Sequence, residues 1–238
     1  MRIAIIGCSY SDYESRTNYN TDERIEKGSW AYQLAEMYPQ HEFRNYAKSG
    51  SGTDFHRLCF DECYQWAELI ILQKTHAQRR NVFFNLKDDP HLEWNVSQRG
   101  GRNFSIVHTN MGVCTWGGEV FLDDWGSKSA LPHWHKIFNI CKEMHPYVVT
   151  NNLMMDASNK WYENMALDPK VVIISYNPRD QKNAWQCFPQ PFNSRKANIK
   201  HWYELGYTIL PDDDHQTAKG HKLILRKYIL PKVKDYLT

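Results

Sequence analysis

Ile3-Ala4-Ile5-Ile6-Gly7-Cys8-Ser9, at the start of the chain, is an apolar run that stops at a glycine and offers a serine two residues later. A short run with no polar alternation is the pattern of a central parallel strand, buried on both faces. Working outward, Ser11 to Lys27 is polar and reads as a loop. Ser29 then caps a helix with Trp30, Leu34 and Met37 on one face, stopped by Pro39. Phe43 to Ala47 reads as a second strand, Thr53 as the cap of a helix reaching about Trp66, and Leu69 to Gln73 as a third strand.

Later in the chain, helices are predicted from His133 to Met144, from about Pro146 to Met165, from Ser194 to Leu205 and from Ala218 to Val233. Strands are predicted at Val171 to Ser175 and, last, at Tyr207 to Leu210. Strands separated by helices predict an α/β fold with a parallel sheet and right-handed crossovers. Ligands of such sheets sit at the carboxyl ends of strands, where Ser9, Gly50 and Asp212 fall. The stretch from about 77 to 131 has few apolar periods and carries the pairs Gly100-Gly101 and Gly117-Gly118. It reads as a long insertion after the third strand, within a single domain spanning 1–238.

Composition excludes several function classes. A net charge of +2 with no basic block gives no electrostatic footprint for nucleic acid. No charged start leads into an apolar segment, and no apolar run approaches the roughly 18 residues that span a bilayer. A cytoplasmic or virion-associated protein is expected, with no membrane partner. Cys8, Cys59, Cys63, Cys114, Cys141 and Cys187 form no CxxC pair and read as reduced, mostly buried thiols. His133-x-His135 is the best local metal pair, but a helix start turns residues two apart away from each other, so no metal is expected. Gly50-Ser51-Gly52 lacks both the lysine of a phosphate loop and the third glycine of a dinucleotide fingerprint, and no cofactor is expected.

The chemistry lies at the two ends. Asp212-Asp213-Asp214-His215-Gln216-Thr217-Ala218-Lys219-Gly220-His221 sets a carboxylate three residues before a histidine at the mouth of a helix. With Ser9 this supplies a nucleophile, a base and a carboxylate to orient the base, the kit for acyl transfer. The bland reading is a turn serine and a helix cap. Cys8 is the other conceivable nucleophile, but neighbouring side chains in an extended segment point to opposite sides.

Three blocks in order, Gly7-Cys8-Ser9, Asn45-Tyr46-Ala47-Lys48-Ser49-Gly50, and Asp212-x-x-His215 running into Ala218-Lys219-Gly220-His221, resemble the SGNH/GDSL hydrolase superfamily. Similar proteins occur among bacterial esterases and tailed-phage gene products, and the long middle section leans towards the latter. The resemblance implies a flavodoxin-like three-layer sandwich, with Ser9 as nucleophile, His215 as base and Asp212 as its orienter, while Asp213 and Asp214 lie outside the family spacing. It also implies an oxyanion hole from the amides of Ser9 and Gly50. The family's asparagine after the third strand has no counterpart in Leu72 to Gln78, so Thr75, with Gln73 or His76 as alternates, is expected to act as the third donor.

Trp94, Trp116, Trp125 and Trp134 lie in or beside the glycine-rich insertion, where exposed rings would stack on sugars and buried ones would simply pack it down. The expected function is an esterase or deacetylase removing an O-acyl group from a small-molecule or glycan ester. Residues that bind the substrate are not identified. The alternative on the same fold is a noncatalytic glycan-binding or structural, virion-associated protein.

Overall fold

The computed structural model describes residues 1–12, 28–75, 79–85, 94–109, 111–116, 143, 152–175, 192–211 and 213–238. Its centre is a six-stranded sheet that runs in the order Trp94–Gly101, Phe104–Thr109, Glu42–Asn45, Arg2–Ile6, Leu69–Lys74, Val171–Ser175. The members are β1 (Arg2–Ile6), β2 (Glu42–Asn45), β3 (Leu69–Lys74), β5 (Trp94–Gly101), β6 (Phe104–Thr109) and β8 (Val171–Ser175). Every pairing is parallel except that of β5 with β6. The opening apolar run lies in the middle, with Ile3 beside Phe43 on one flank and Leu69 on the other.

Alternate residues of these strands feed two separate cores. Ile3, Ile5, Leu69, Ile71 and Val172 join Trp30, Leu34, Trp202, Ile224 and Val233 on one face. Ala4, Ile6, Ile70, Leu72 and Ile173 join Phe55, Cys59, Phe60 and Tyr162 on the other. Helices α1 (Trp30–Met37), α4 (Arg195–Glu204), α5 (Ala218–Ile224) and α6 (Leu230–Leu237) thus cover the first face, and α2 (Thr53–Cys63) and α3 (Asn152–Met165) the second. Ile3, Ile5 and Ile6 are fully buried, and removing each such side chain from water contributes about 1.5–3 kcal/mol. No helix among the described residues is long and apolar enough to cross a membrane.

Several boundaries differ from expectation, each for a physical reason. Ser29 does cap α1, its hydroxyl accepting from the Tyr32 amide at 3.3 Å, but Met37, the last residue of the helix, stays half exposed. Thr53 is the first residue of α2 rather than its cap. The amides of Gly52 and Phe55 are instead capped by the side-chain carbonyl of Asn81, at 2.8 and 3.2 Å, from β4 (Arg80–Asn85). The closing helix runs on to Leu237 through one π-type turn, Leu225–Ile229, ahead of Pro231, whose missing N–H removes one bond of the regular ladder.

The expected insertion is rich in strand. Within it β4 pairs antiparallel with β7 (Met111–Trp116) as a ribbon, while β5 and β6 extend the main sheet beyond β2. Phe104 and Ile106 enter one core and Val107 the other. The strand at Thr208–Leu210, β9, is not a member of the main sheet. It pairs antiparallel with β10 (Asp213–Gln216), a short ribbon that delivers His215. The helix expected from His133 lies almost wholly outside the described residues.

Candidate active site

The strand β1 ends at Ile6, and the carbonyl of Cys8 then accepts from the amides of Ser11 (2.9 Å) and Asp12 (3.0 Å), closing one helical turn around Ser9 and Tyr10. This sharp strand-to-turn step presents Ser9, which is 7% exposed. Its hydroxyl lies 2.8 Å from Nε2 of His215, 206 residues away in the chain. For that hydroxyl to donate, Nε2 must be bare and the ring proton must sit on Nδ1. His215 reaches this point from a part of β10 where the register with β9 shifts between Asp213 and Gln216, the kind of irregularity that re-aims a side chain.

The imidazole of His215 also stacks on the ring of Tyr10, with centroids 4.9 Å apart and planes within 6°. Tyr10 is buried, so the stack restrains rotation of the imidazole about its own bond. Asp212, the expected orienter, lies outside the described residues. Asp213 and Asp214 open β10.

The glycine turn after β2 is built against the same step. Ser51 N–H donates to the carbonyl of Lys48 at 3.0 Å, and Gly50, third residue of that turn, has φ 77, a conformation that only glycine adopts cheaply. The Lys48 amide donates to the Gly7 carbonyl at 3.1 Å, and the Ser49 amide to Asp12 Oδ2 at 2.9 Å. No hydrogen bond within the described residues engages the amides of Ser9 or Gly50. Burial draws the Lys48 ammonium below its ordinary range, with Asp12 partly opposing.

Three side chains were expected to compete for the remaining donor position. Gln73 is fully buried, its Oε1 accepting from Ser11 Oγ and its Nε2 donating to Cys8 Sγ at 3.0 Å. It braces the turn from beneath. The Thr75 hydroxyl donates to the Ser51 carbonyl at 3.2 Å and accepts from Arg79 Nη1 at 3.3 Å. His76 lies outside the described residues. A residue that sequence reasoning missed is Asn81, whose carbonyl binds Gly52 and whose carboxamide therefore stands beside the glycine turn. Its signal, an asparagine a few residues past the third strand, lay just beyond the stretch read for it.

Cys8 is fully buried beneath the turn with Gln73 on its sulfur, and Cys59 and Cys63 are also free and buried, as expected of reduced thiols. Burial pushes the Cys59 thiol well up and that of Cys63 to about 12, so neither is a nucleophile. Trp94, partly buried, packs edge-on against Tyr46 at 6.0 Å and against the second core. Trp125 and Trp134 lie outside the described residues, as does the pair His133-x-His135. Among the described residues no group of three metal-ligating side chains converges. No family model matches the chain, and no curated protein matches it.

Proposed function

We propose that the protein is a serine hydrolase of the SGNH type, an esterase or deacetylase acting on an O-acyl ester, with a carbohydrate ester as the substrate class. The observation that carries this reading is the 2.8 Å approach of Ser9 Oγ to His215 Nε2 across the full length of the chain, because a serine is a nucleophile only where a base takes its proton. In the proposed reaction Ser9 Oγ attacks the acyl carbon as its proton passes to His215 Nε2. The alcohol departs with that proton, and water, deprotonated by the same nitrogen, releases the acid and restores Ser9. Asp212 is proposed to hold the Nδ1 proton, with the Tyr10 stack as a second restraint on the ring.

The oxyanion is proposed to bind at the amides of Ser9 and Gly50. Asn81, held at the glycine turn through Gly52, is proposed as the third donor beside these amides, while the Thr75 hydroxyl serves the Ser51 carbonyl. The commitment of both Gln73 and Thr75 elsewhere is also what favours the second reading, a noncatalytic glycan-binding or virion-associated protein on the same scaffold. Turnover of a short-chain nitrophenyl ester separates the two. The hydrolase turns it over and the Ser9→Ala variant does not, whereas a binding protein shows no difference between them.

A further inference from the structure

A second serine–histidine contact lies beneath the site, and its hydrogens can be assigned one by one. The carbonyl of Gly7 can only accept, so the Ser51 hydroxyl, 2.9 Å away, spends its proton there. His56 Nε2 is 3.0 Å from the same Ser51 oxygen and must therefore carry a hydrogen of its own. A neutral imidazole has one such hydrogen, so Nδ1 is the acceptor for the Tyr162 hydroxyl at 2.8 Å. The Tyr162 oxygen in turn accepts from the Thr75 amide at 3.4 Å. Every proton points the same way, from the exit of β3 to the exit of β1. Burial keeps the His56 ring well below its usual range, at about 3, with Arg79 adding to the effect. The ring is thus neutral and is itself fully buried, as Ser51 nearly is.

The two ends of this line matter for the site. Ser51 follows Gly50, and Gly7 precedes Ser9 by two residues, so the Ser51–Gly7 bond joins the two segments that carry the proposed oxyanion amides. We infer that Ser51, His56 and Tyr162 form a buried positioning relay, polarised from Thr75 to Gly7, that sets the spacing between the amides of Ser9 and Gly50. None of the three touches the reacting atoms. They are positioning residues, and their catalytic effect rests on the hydrolase reading, whereas the direction of the relay does not.

Two measurements test it. Long-range 1H–15N correlation at neutral pH on the Ser9→Ala protein reads the His56 tautomer without any reaction. Hydrogen on Nε2 is expected, and hydrogen on Nδ1 overturns the relay. Steady-state hydrolysis of a nitrophenyl ester then compares Tyr162→Phe, Ser51→Ala and the double variant. Each single change is expected to lower kcat by about fivefold to thirtyfold, the equivalent of one buried hydrogen bond, with KM nearly unchanged. The double variant should be little worse than the poorer single one, because the line acts as a unit. Unchanged kcat in both singles, or additive losses, overturns the positioning role. If the variants do not fold, the tautomer alone decides. If the wild type lacks turnover altogether, the hydrolase reading falls while the tautomer still judges the relay.

Discussion

Replacing Gly7 by alanine drives a methyl group into the brace beneath the nucleophile. A Cβ at this position would stand 2.7 Å from Gln73 Oε1, 2.7 Å from Ser11 Oγ and 2.8 Å from Ser11 Cβ, all well inside the roughly 3.5–4.0 Å of a comfortable contact. Gln73 cannot simply swing aside. It is fully buried and holds hydrogen bonds to Ser11 and Cys8. Losing them costs about 1 kcal/mol each, and leaving the carboxamide unsatisfied costs about 1–3 kcal/mol. Moving the backbone instead incurs the roughly 1–3 kcal/mol of an overpacked core. The side-chain route sums to about 3–5 kcal/mol and the backbone route to about 1–3 kcal/mol, so the cheaper one predicts a destabilisation of about 1–3 kcal/mol, or about 2–12 °C in Tm for a chain of this size. Gly206→Ala is the control. There φ is +73 but the nearest outside atom is Lys219 Nζ at 3.9 Å, so only left-handed strain of about 1–2 kcal/mol is added. Thermal melts and urea titrations of both variants measure the difference. In a Gln73→Ala background the cost of Gly7→Ala should shrink, since one of its two obstacles is gone. A Gly7→Ala protein that melts within about 1 °C of wild type, when the reasoning demands at least about 2 °C, would refute the brace.

Asn81→Asp keeps the carbonyl oxygens that cap α2 but removes the amide hydrogens and sets a second carboxylate beside Asp54, which accepts from the Asn81 backbone amide at 3.1 Å. Turnover should therefore drop by about 10²–10³ and Tm should fall as well, as read by ester hydrolysis beside a melt. Tyr10→Leu removes the ring stacked on His215 and should lower kcat with the fold intact, whereas Asp213→Asn or Asp214→Asn should leave hydrolysis nearly unchanged. Acid should unfold the protein through His56 and His221. Both are buried with ring pKa drawn from 6.5 to about 3, chiefly by burial and, for His221, also by His215. The unfolded chain therefore binds more protons below 6.5, and stability present above that value is lost as pH falls towards 3, at up to roughly 1.4 kcal/mol per pH unit for each ring. Urea midpoints between pH 7 and pH 4 measure this, and a flat profile contradicts it. Cys59 and Cys63 should resist a thiol reagent in the native protein and react only after denaturation.

The elements that could be read from sequence were those whose own residues decide their state. The run Ile3 to Ile6, the strand Val171–Ser175 and the helix capped by Ser194 stand where their apolar content and caps put them. What escaped depends on partners distant in the chain. Phe104–Thr109 becomes a parallel strand because β2 offers a free edge, and Thr208–Leu210 stays out of the main sheet because β10 pairs with it instead. The meeting of Ser9 with His215 was foreseeable from paired blocks at the two ends of the chain. The roles of Gln73, Ser51, His56 and Tyr162 were not, since their hydrogen bonds join β1, α2, β3 and α3 through side chains that carry no local pattern. Asn81 was missed for a similar reason, because its place at the glycine turn is set by the course of the chain after β3.

The central claim is that Ser9 is an activated nucleophile, and the measurement that meets it most directly is covalent labelling by a fluorophosphonate, with the modified residue identified by mass spectrometry. The account predicts one phosphonyl group per chain, on Ser9, absent in Ser9→Ala and retained in Cys8→Ala. A folded wild-type protein that takes up no label anywhere between about pH 6 and 9, across which an ordinary histidine base is available, or that takes it up on another residue, would contradict it.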